Sequence, residues 1–174
     1  MPDAQVDANE WVTIDGVPHR RVVLCFIFRS AAGSRAVLLG LKRTGFGTGR
    51  VVAIGGKIDG LESDVDAAVR EVREESGIEF GAAELRPAGS ISWYFPAMPA
   101  WSMAATLFVA DGGDAVPVDC EEIEPRWYDV GHIPWDRMWK DAPHWLPAVL
   151  DGRKVEARII MAEDNETVAS AVVH

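Results

Sequence analysis

The feature that most limits the fold of this chain is the segment 51–78, where a short apolar run leads through two glycines into an acidic, amphipathic stretch. Apolar side chains within residues 63–76 recur at helical spacing and predict a helix with one buried face. Ser63 is a typical helix-capping residue, and Gly77 suits the left-handed position that follows a helix end. The segment therefore predicts a strand, a glycine turn and a capped helix in direct succession.

Three glutamates of this helix are crowded together. Glu71, Glu74 and Glu75 have the spacing i, i+3, i+4, which places them on one side of the helix next to its apolar face. Like charges at this spacing repel one another, and more strongly at the edge of a core. A divalent cation removes the repulsion, and oxygen-only ligands suit Mg²⁺. The alternative is a solvated acidic face whose glutamates pair with Arg70 and Arg73.

The remainder of the chain mixes strands with one further helix. Glycine turns or polar segments separate apolar, β-branched runs, which predict strands. The predicted strands are 21–28, 36–41, 51–54, 89–95, 102–110, 126–130, about 153–161 and 167–173, with a glycine-rich loop at 44–50, an acidic loop at 111–124 and a second helix within 132–150. This pattern predicts an α/β (α+β) sandwich. Residues 1–18, with a possible short strand at 11–14, are interpreted as an extension of a domain that spans 19–174.

Composition narrows the class of protein. A length of 174 residues suits a single domain, and a net charge of −10 argues against a protein that binds duplex nucleic acid. No apolar run reaches the roughly 18 residues of a membrane span, and the acidic start lacks the features of a signal peptide. The sequence also has no CxxC motif or Cys/His cluster that would indicate zinc. We expect a cytoplasmic monomer or homodimer with a small-molecule substrate, no membrane partner and no duplex nucleic acid.

The spacing of the acidic segment matches a known motif. Gly56 is followed by five residues, Glu62, seven residues, and then Arg-Glu-Val-Arg-Glu-Glu-Ser-Gly-Ile at 70–78. This segment resembles a complete Nudix box, in which every fixed position is present. The resemblance implies an α/β/α sandwich with a mixed central sheet. It also implies an enzyme that hydrolyses nucleoside diphosphates linked to another group.

The same resemblance implies roles for individual residues. Glu71, Glu74 and Glu75 would bind Mg²⁺, with Mn²⁺ as an alternative, helped by the carbonyl of Gly55. Arg70 would orient the helix carboxylates, and Glu62 would hold the shape of the loop before the helix. A metal-bound water would attack phosphorus while a glutamate accepts its proton. Glu122, in the acidic loop, is a second candidate for that base and a further candidate metal ligand.

Two segments outside the Nudix box resemble one subfamily of the Nudix enzymes. Residues 37–50 and 138–147 are similar to the eukaryotic MutT-homologue enzymes, and the similarity extends over roughly 20–162. Those enzymes convert oxidised purine nucleoside triphosphates, such as 8-oxo-dGTP, to a monophosphate and pyrophosphate. The similarity implies an aromatic base pocket, and Lys57, Arg43 and Arg50 are candidates for phosphate contacts. The residues expected in the base pocket are Phe46, Trp93, Met103, Trp139, Asp141 and Trp145.

Two positions depart from that subfamily. Val52 replaces an asparagine that hydrogen-bonds the base, and Ala142 replaces the second of two adjacent aspartates. A site that loses such partners discriminates less well between substrates. Two alternatives therefore stay open. One is a Nudix hydrolase for a nucleotide sugar, a dinucleoside polyphosphate or capped RNA, and the other is a catalytically inactive nucleotide-binding module.

Overall fold

A computed structural model describes residues 9–174, which form nine strands in one sheet and two α-helices. The helices pack on opposite faces of this sheet, so the predicted α/β/α sandwich is confirmed. The strands are β1 (Trp11–Ile14), β2 (Val17–Ala31), β3 (Ser34–Lys42), β4 (Val51–Lys57), β5 (Arg86–Tyr94), β6 (Met103–Asp111), β7 (Ile123–Asp129), β8 (Val155–Met161) and β9 (Val168–Val173), and the helices are α1 (Asp64–Ser76) and α2 (Ala142–Leu150).

The long strand β2 organises the sheet. It pairs antiparallel with β1, β3 and β4 and parallel with β6. A second parallel pair joins β5 to β8, so the sheet is mixed, as predicted. Its strand order is β7-β3-β4-β2-β6-β5-β8-β9, with β1 attached to β2.

Several strands extend beyond their predicted bounds. β2 begins at Val17 because Asp15 and Gly16 adopt positive φ angles of 50° and 80° in a tight turn, which folds β1 back onto β2. β4 continues through both glycines to Lys57, since its backbone pairs with β2 there. β7 starts at Ile123, inside the predicted acidic loop, because this fully buried side chain belongs to the core beneath α1.

Helix α1 has the predicted ends. The Ser63 hydroxyl accepts a hydrogen bond from the amide of Asp66 at 3.2 Å, and Gly77 has a φ of 73° at the C-terminal end. Ala68 and Val72 pack into a core between this helix and the sheet. Helix α2 covers the opposite face, where Trp145 and its neighbours belong to the second core.

Residues 9–14 are attached to the same sheet as the rest of the chain, through β1. The first eight residues of the predicted extension lie outside the described residues. Neither helix of residues 9–174 is long and apolar enough to cross a bilayer.

Candidate active site

Helix α1 lies against the end of β4 at the two glycines, which leave room for two carboxylates. The Gly55 amide donates a hydrogen bond to Glu75 Oε1 at 2.8 Å. A Cβ atom on Gly56 would lie only 2.5 Å from the carboxylate of Glu71. A side chain at either glycine would displace its neighbours, because a Cβ on Gly55 would meet the carbonyl oxygen of Val23 at 2.0 Å.

Arg70 connects the helix carboxylates to the loop between β4 and α1. Its Nη1 donates to Glu71 Oε1 at 2.8 Å and to Glu74 Oε2 at 3.1 Å. Its Nε donates to Glu62 Oε2 at 3.1 Å, and its Nη2 donates to the carbonyl of Lys57 at 3.0 Å. The hydrogen bond from Arg70 lowers the pKa of Glu62, and Glu62 in turn raises the pKa of Arg70.

Burial disfavours the ionised forms of two carboxylates of α1. The side chain of Glu75 is 2% exposed, and its burial raises its pKa to about 7. The Gly55 amide and Lys42, whose Nζ lies 4.0 Å from Glu75 Oε2, oppose this rise, while the charges of Glu71 and Glu122 add to it. Burial also raises the pKa of Glu71. A cation placed among these carboxylates would stabilise their ionised forms.

The carboxylates fit a hard divalent ion but are not preassembled around one. No three Asp, Glu, His or Cys side chains among residues 9–174 form a ready metal cluster. Gly55, Glu71, Glu75 and Glu122 line one cavity, whereas the Glu74 side chain is 54% exposed and held by Arg70 outside the lining. An oxygen-only donor set of this kind suits Mg²⁺ or Mn²⁺, which keep positions open for water and phosphate oxygens.

The cavity that begins at these carboxylates continues into an aromatic pocket. Its volume is about 510 Å³, within the usual range for a small-molecule site. Lys57 lines the carboxylate end of this cavity. The side chains predicted for the base pocket line it as well, namely Phe46, Trp93, Met103, Trp139, Asp141 and Trp145.

Asp141 is the buried polar centre of the aromatic end. Its Oδ2 accepts hydrogen bonds from the indole Nε1 of Trp93 at 2.6 Å and of Trp145 at 2.8 Å. The residue is 5% exposed, and within residues 9–174 no group donates a hydrogen bond to its Oδ1. One carboxylate oxygen therefore fixes two pocket walls, which leaves the other as an acceptor for a ligand.

Trp139 lines the pocket and contacts both Phe46 and Arg50. The rings of Phe46 and Trp139 stack at a centroid distance of 5.1 Å and an angle of 17°. The Arg50 guanidinium carbon lies 3.9 Å from the centre of the Trp139 ring, and Arg50 pairs with Glu166 from the turn between β8 and β9. Arg50 does not line the cavity; neither does Arg43, which pairs with acidic side chains of the 111–124 loop and β7.

Lys42 and Thr44 also line the cavity, although the sequence analysis did not single them out. Alternation along β3 was an available signal, because it places Lys42 on the same face as Leu38, which α1 covers. Val52 and Ala142, the two departures from the subfamily pattern, lie in the lining as well. Neither side chain has a group that can hydrogen-bond a base.

Comparison with known proteins identifies the family. The family model of the NUDIX domain matches residues 18–149, which is more than half of the chain. This chain belongs to the Nudix family. The predicted Nudix hydrolase is thereby confirmed, and Nudix hydrolases generally use divalent metal ions.

Two relatives are similar to this chain over more than two thirds of its length. The chain is 36% identical over 134 residues to the oxidized purine nucleoside triphosphate hydrolase of Mus musculus, covering 77% of this chain and 83% of that protein. It is 36% identical over 118 residues to the protein of the same name from Danio rerio, covering 68% and 74% of the two chains.

Among solved structures, the MutT protein from Bacillus halodurans superposes with a TM-score of 0.73 at 22% identity, over 88% of this chain and 96% of that one. The structural likeness supports the Nudix fold.

Proposed function

We propose that this Nudix enzyme hydrolyses purine nucleoside triphosphates, including oxidised purines such as 8-oxo-dGTP, to the monophosphate and pyrophosphate with Mg²⁺. The observation that carries the proposal is the single cavity that joins the helix carboxylates to an aromatic pocket. The carboxylate end suits a metal-bound polyphosphate, and the aromatic end suits a flat base. The names of the two curated relatives support the same substrate class.

Residues at one end of the cavity contact the base, and residues at the other end contact the phosphates. The aromatic side chains that line the cavity offer flat apolar surface to a purine, and base–aromatic stacking contributes about 1–3 kcal/mol per base in other proteins. Asp141 Oδ1 accepts an N–H from the edge of the base. Lys42 and Lys57 bring positive charge to the phosphate side of the cavity.

Glu71, Glu75 and Glu122 are the proposed carboxylates at the reacting end, and Glu74 joins them when its side chain leaves Arg70. A bound divalent ion would neutralise phosphate oxygens and lower the pKa of a water molecule. Glu75 and Glu122, which both line this end, are the candidates for accepting the proton that the water would release. Arg70 keeps the helix carboxylates oriented through its hydrogen bonds.

A hydrolysis screen tests the proposal. The enzyme with Mg²⁺ is offered normal and oxidised nucleoside triphosphates, nucleotide sugars and a dinucleoside polyphosphate, and each product is identified. We expect a purine triphosphate to have the highest kcat/KM, with pyrophosphate as a product. Faster cleavage of a nucleotide sugar or dinucleoside polyphosphate would replace this proposal with another Nudix substrate.

Matched variants link the activity to the proposed site. Loss of a general base or metal ligand typically costs about 10²–10⁴-fold in rate, so Glu75→Gln should lose at least about 100-fold in kcat. Glu121→Gln, an exposed acid in the neighbouring loop, should retain wild-type activity. Equal activity of Glu75→Gln and the wild type would reject the assigned site.

A further inference from the structure

The loop that carries Glu62 is held by hydrogen bonds to residues that precede the segment matched by the family model. This loop, residues 57–63, joins β4 to α1, and Leu61 at its tip is 86% exposed. Ile58 is buried in the core, but residues 59–62 have few internal bonds, chiefly those between Asp59 and Glu62. Apart from its ion pair with Arg70, the position of Glu62 therefore depends on contacts between this loop and other parts of the chain.

Asn9 and Glu10 provide that support. Glu10 Oε1 accepts a hydrogen bond from the Gly60 amide at 2.8 Å. Asn9 Nδ2 donates to the carbonyl of Gly60 at 2.7 Å and to that of Glu62 at 3.1 Å. Both residues precede Pro18, where the family match begins.

Two arginines of β2 fix Asn9 and Glu10 in turn. The Arg20 Nη1 donates to the carbonyl of Glu10 at 2.8 Å, and its Nη2 donates to the carbonyl of Ile58 at 2.9 Å. The Arg21 Nη1 donates to the carbonyl of Asn9 at 2.6 Å, and its Nη2 pairs with Asp64 at the start of α1. The upstream segment, the loop and the helix start thus share one hydrogen-bond network.

That network leads directly to the helix carboxylates. Glu62 binds Arg70, and Arg70 binds Glu71 and Glu74. A shift of the loop would move Glu62, release Arg70 and change the orientation of both helix carboxylates. Each link is a direct hydrogen bond between residues that the structure describes.

We propose that Asn9 and Glu10 are positioning residues for the metal-binding carboxylates of α1, acting through the loop 57–63 and the Glu62–Arg70 pair. The inference rests on the proposed metal site and is independent of which base the enzyme accepts. The segment before the family match therefore has a function in the site. It anchors a loop of the Nudix box although its own residues lie outside that box.

The test measures Mn²⁺ affinity by electron paramagnetic resonance in the absence of nucleotide, together with amide hydrogen exchange in the loop. Removing a partner in the outer shell of a metal site typically weakens metal affinity by about 10–100-fold. Because Glu10 acts further out, we expect Glu10→Ala to bind Mn²⁺ about tenfold more weakly and the Gly60 amide to exchange faster. Glu10→Gln keeps an oxygen acceptor and should stay close to wild type. Thr13→Ala, an exposed position in β1, should change neither quantity.

The outcomes separate this inference from the proposed function. Wild-type affinity and wild-type exchange in Glu10→Ala would overturn the positioning role and leave the proposed hydrolysis intact. Equal losses of Mn²⁺ affinity in Glu10→Ala and Thr13→Ala would also overturn it, because a general disturbance of β1 would then explain both losses. If the wild-type protein binds Mn²⁺ without dependence on Glu71 and Glu75, the proposed metal site fails, and this inference fails with it.

Discussion

The metal-free protein should lose stability as the pH rises, and Glu75→Gln should remove much of that loss. Burial raises the pKa of Glu75 in the folded protein to about 7, from an ordinary value of 4.5. Between these two values the folded state binds more protons than the unfolded state. The free energy of unfolding therefore falls as the pH increases from about 4.5 to about 7, and this contribution is constant above that range.

The magnitude follows from the size of the shift. Each pKa unit corresponds to about 1.4 kcal/mol, so a shift of between two and three units corresponds to roughly 3 kcal/mol. The side chain of Glu75 is 2% exposed, so solvent screens this charge very little. Because Glu71 shifts in the same direction, part of the wild-type slope will persist in Glu75→Gln. The difference between wild type and variant isolates the contribution of Glu75.

Urea unfolding followed by tryptophan fluorescence measures this difference. The wild type, Glu75→Gln and the exposed control Glu121→Gln are compared in EDTA at pH 5 and at pH 8. We expect the unfolding free energy of the wild type, relative to Glu75→Gln, to fall by about 2–3 kcal/mol over this range. Mg²⁺ at pH 8 should restore stability to the wild type and much less to the variant, because a ligand that binds only the folded state stabilises it. A wild-type-minus-variant difference that does not change with pH would show that folding does not raise the pKa of Glu75.

Three further changes probe the remaining parts of the site. Asp141→Ala leaves two buried indole N–H groups without an acceptor, which should lower the unfolding free energy by about 2–4 kcal/mol in urea titrations, whereas Asp141→Asn should keep more of this stability. Glu166→Gln frees Arg50 from its place over Trp139 and should raise KM about two- to fivefold while kcat is unchanged; a change in kcat alone would contradict this. Gly56→Ala puts a methyl carbon 2.5 Å from a helix carboxylate and should lower kcat with little change in KM, as steady-state kinetics will show.

The helix that carries the glutamates was predictable because its signals are local in sequence. The helix α1 has its cap at Ser63, its termination at Gly77 and its apolar spacing within one short stretch, and the structure has all three. The end of strand β4 was harder to predict. The strand continues through Gly55 and Gly56 because its backbone pairs with β2 there. Glycine has a low propensity for strands, so its local preference pointed to a turn instead.

The aromatic end could be predicted only through resemblance to a family. Its walls come from β2, the loop between β3 and β4, β4, β5, β6, the segment before α2 and α2 itself, which no spacing along the chain brings together. The contact between Arg50 and Glu166 joins residues 116 positions apart and leaves no local pattern. The exposure of Glu74 was not predicted either, because helical spacing fixes the side of the helix but not the rotamer that Arg70 selects.

We propose that the carboxylates of α1 hold divalent ions that are shared with a polyphosphate. A crystal structure with Mn²⁺ and a non-hydrolysable nucleoside triphosphate, with ions located by anomalous scattering, tests it most directly. We predict ions directly coordinated by carboxylate oxygens of Glu71 and Glu75, also bound to phosphate oxygens, with the base in the aromatic end of the cavity. Ions bound elsewhere, with both carboxylates still engaged as in the free protein, would show that these carboxylates do not form the metal site.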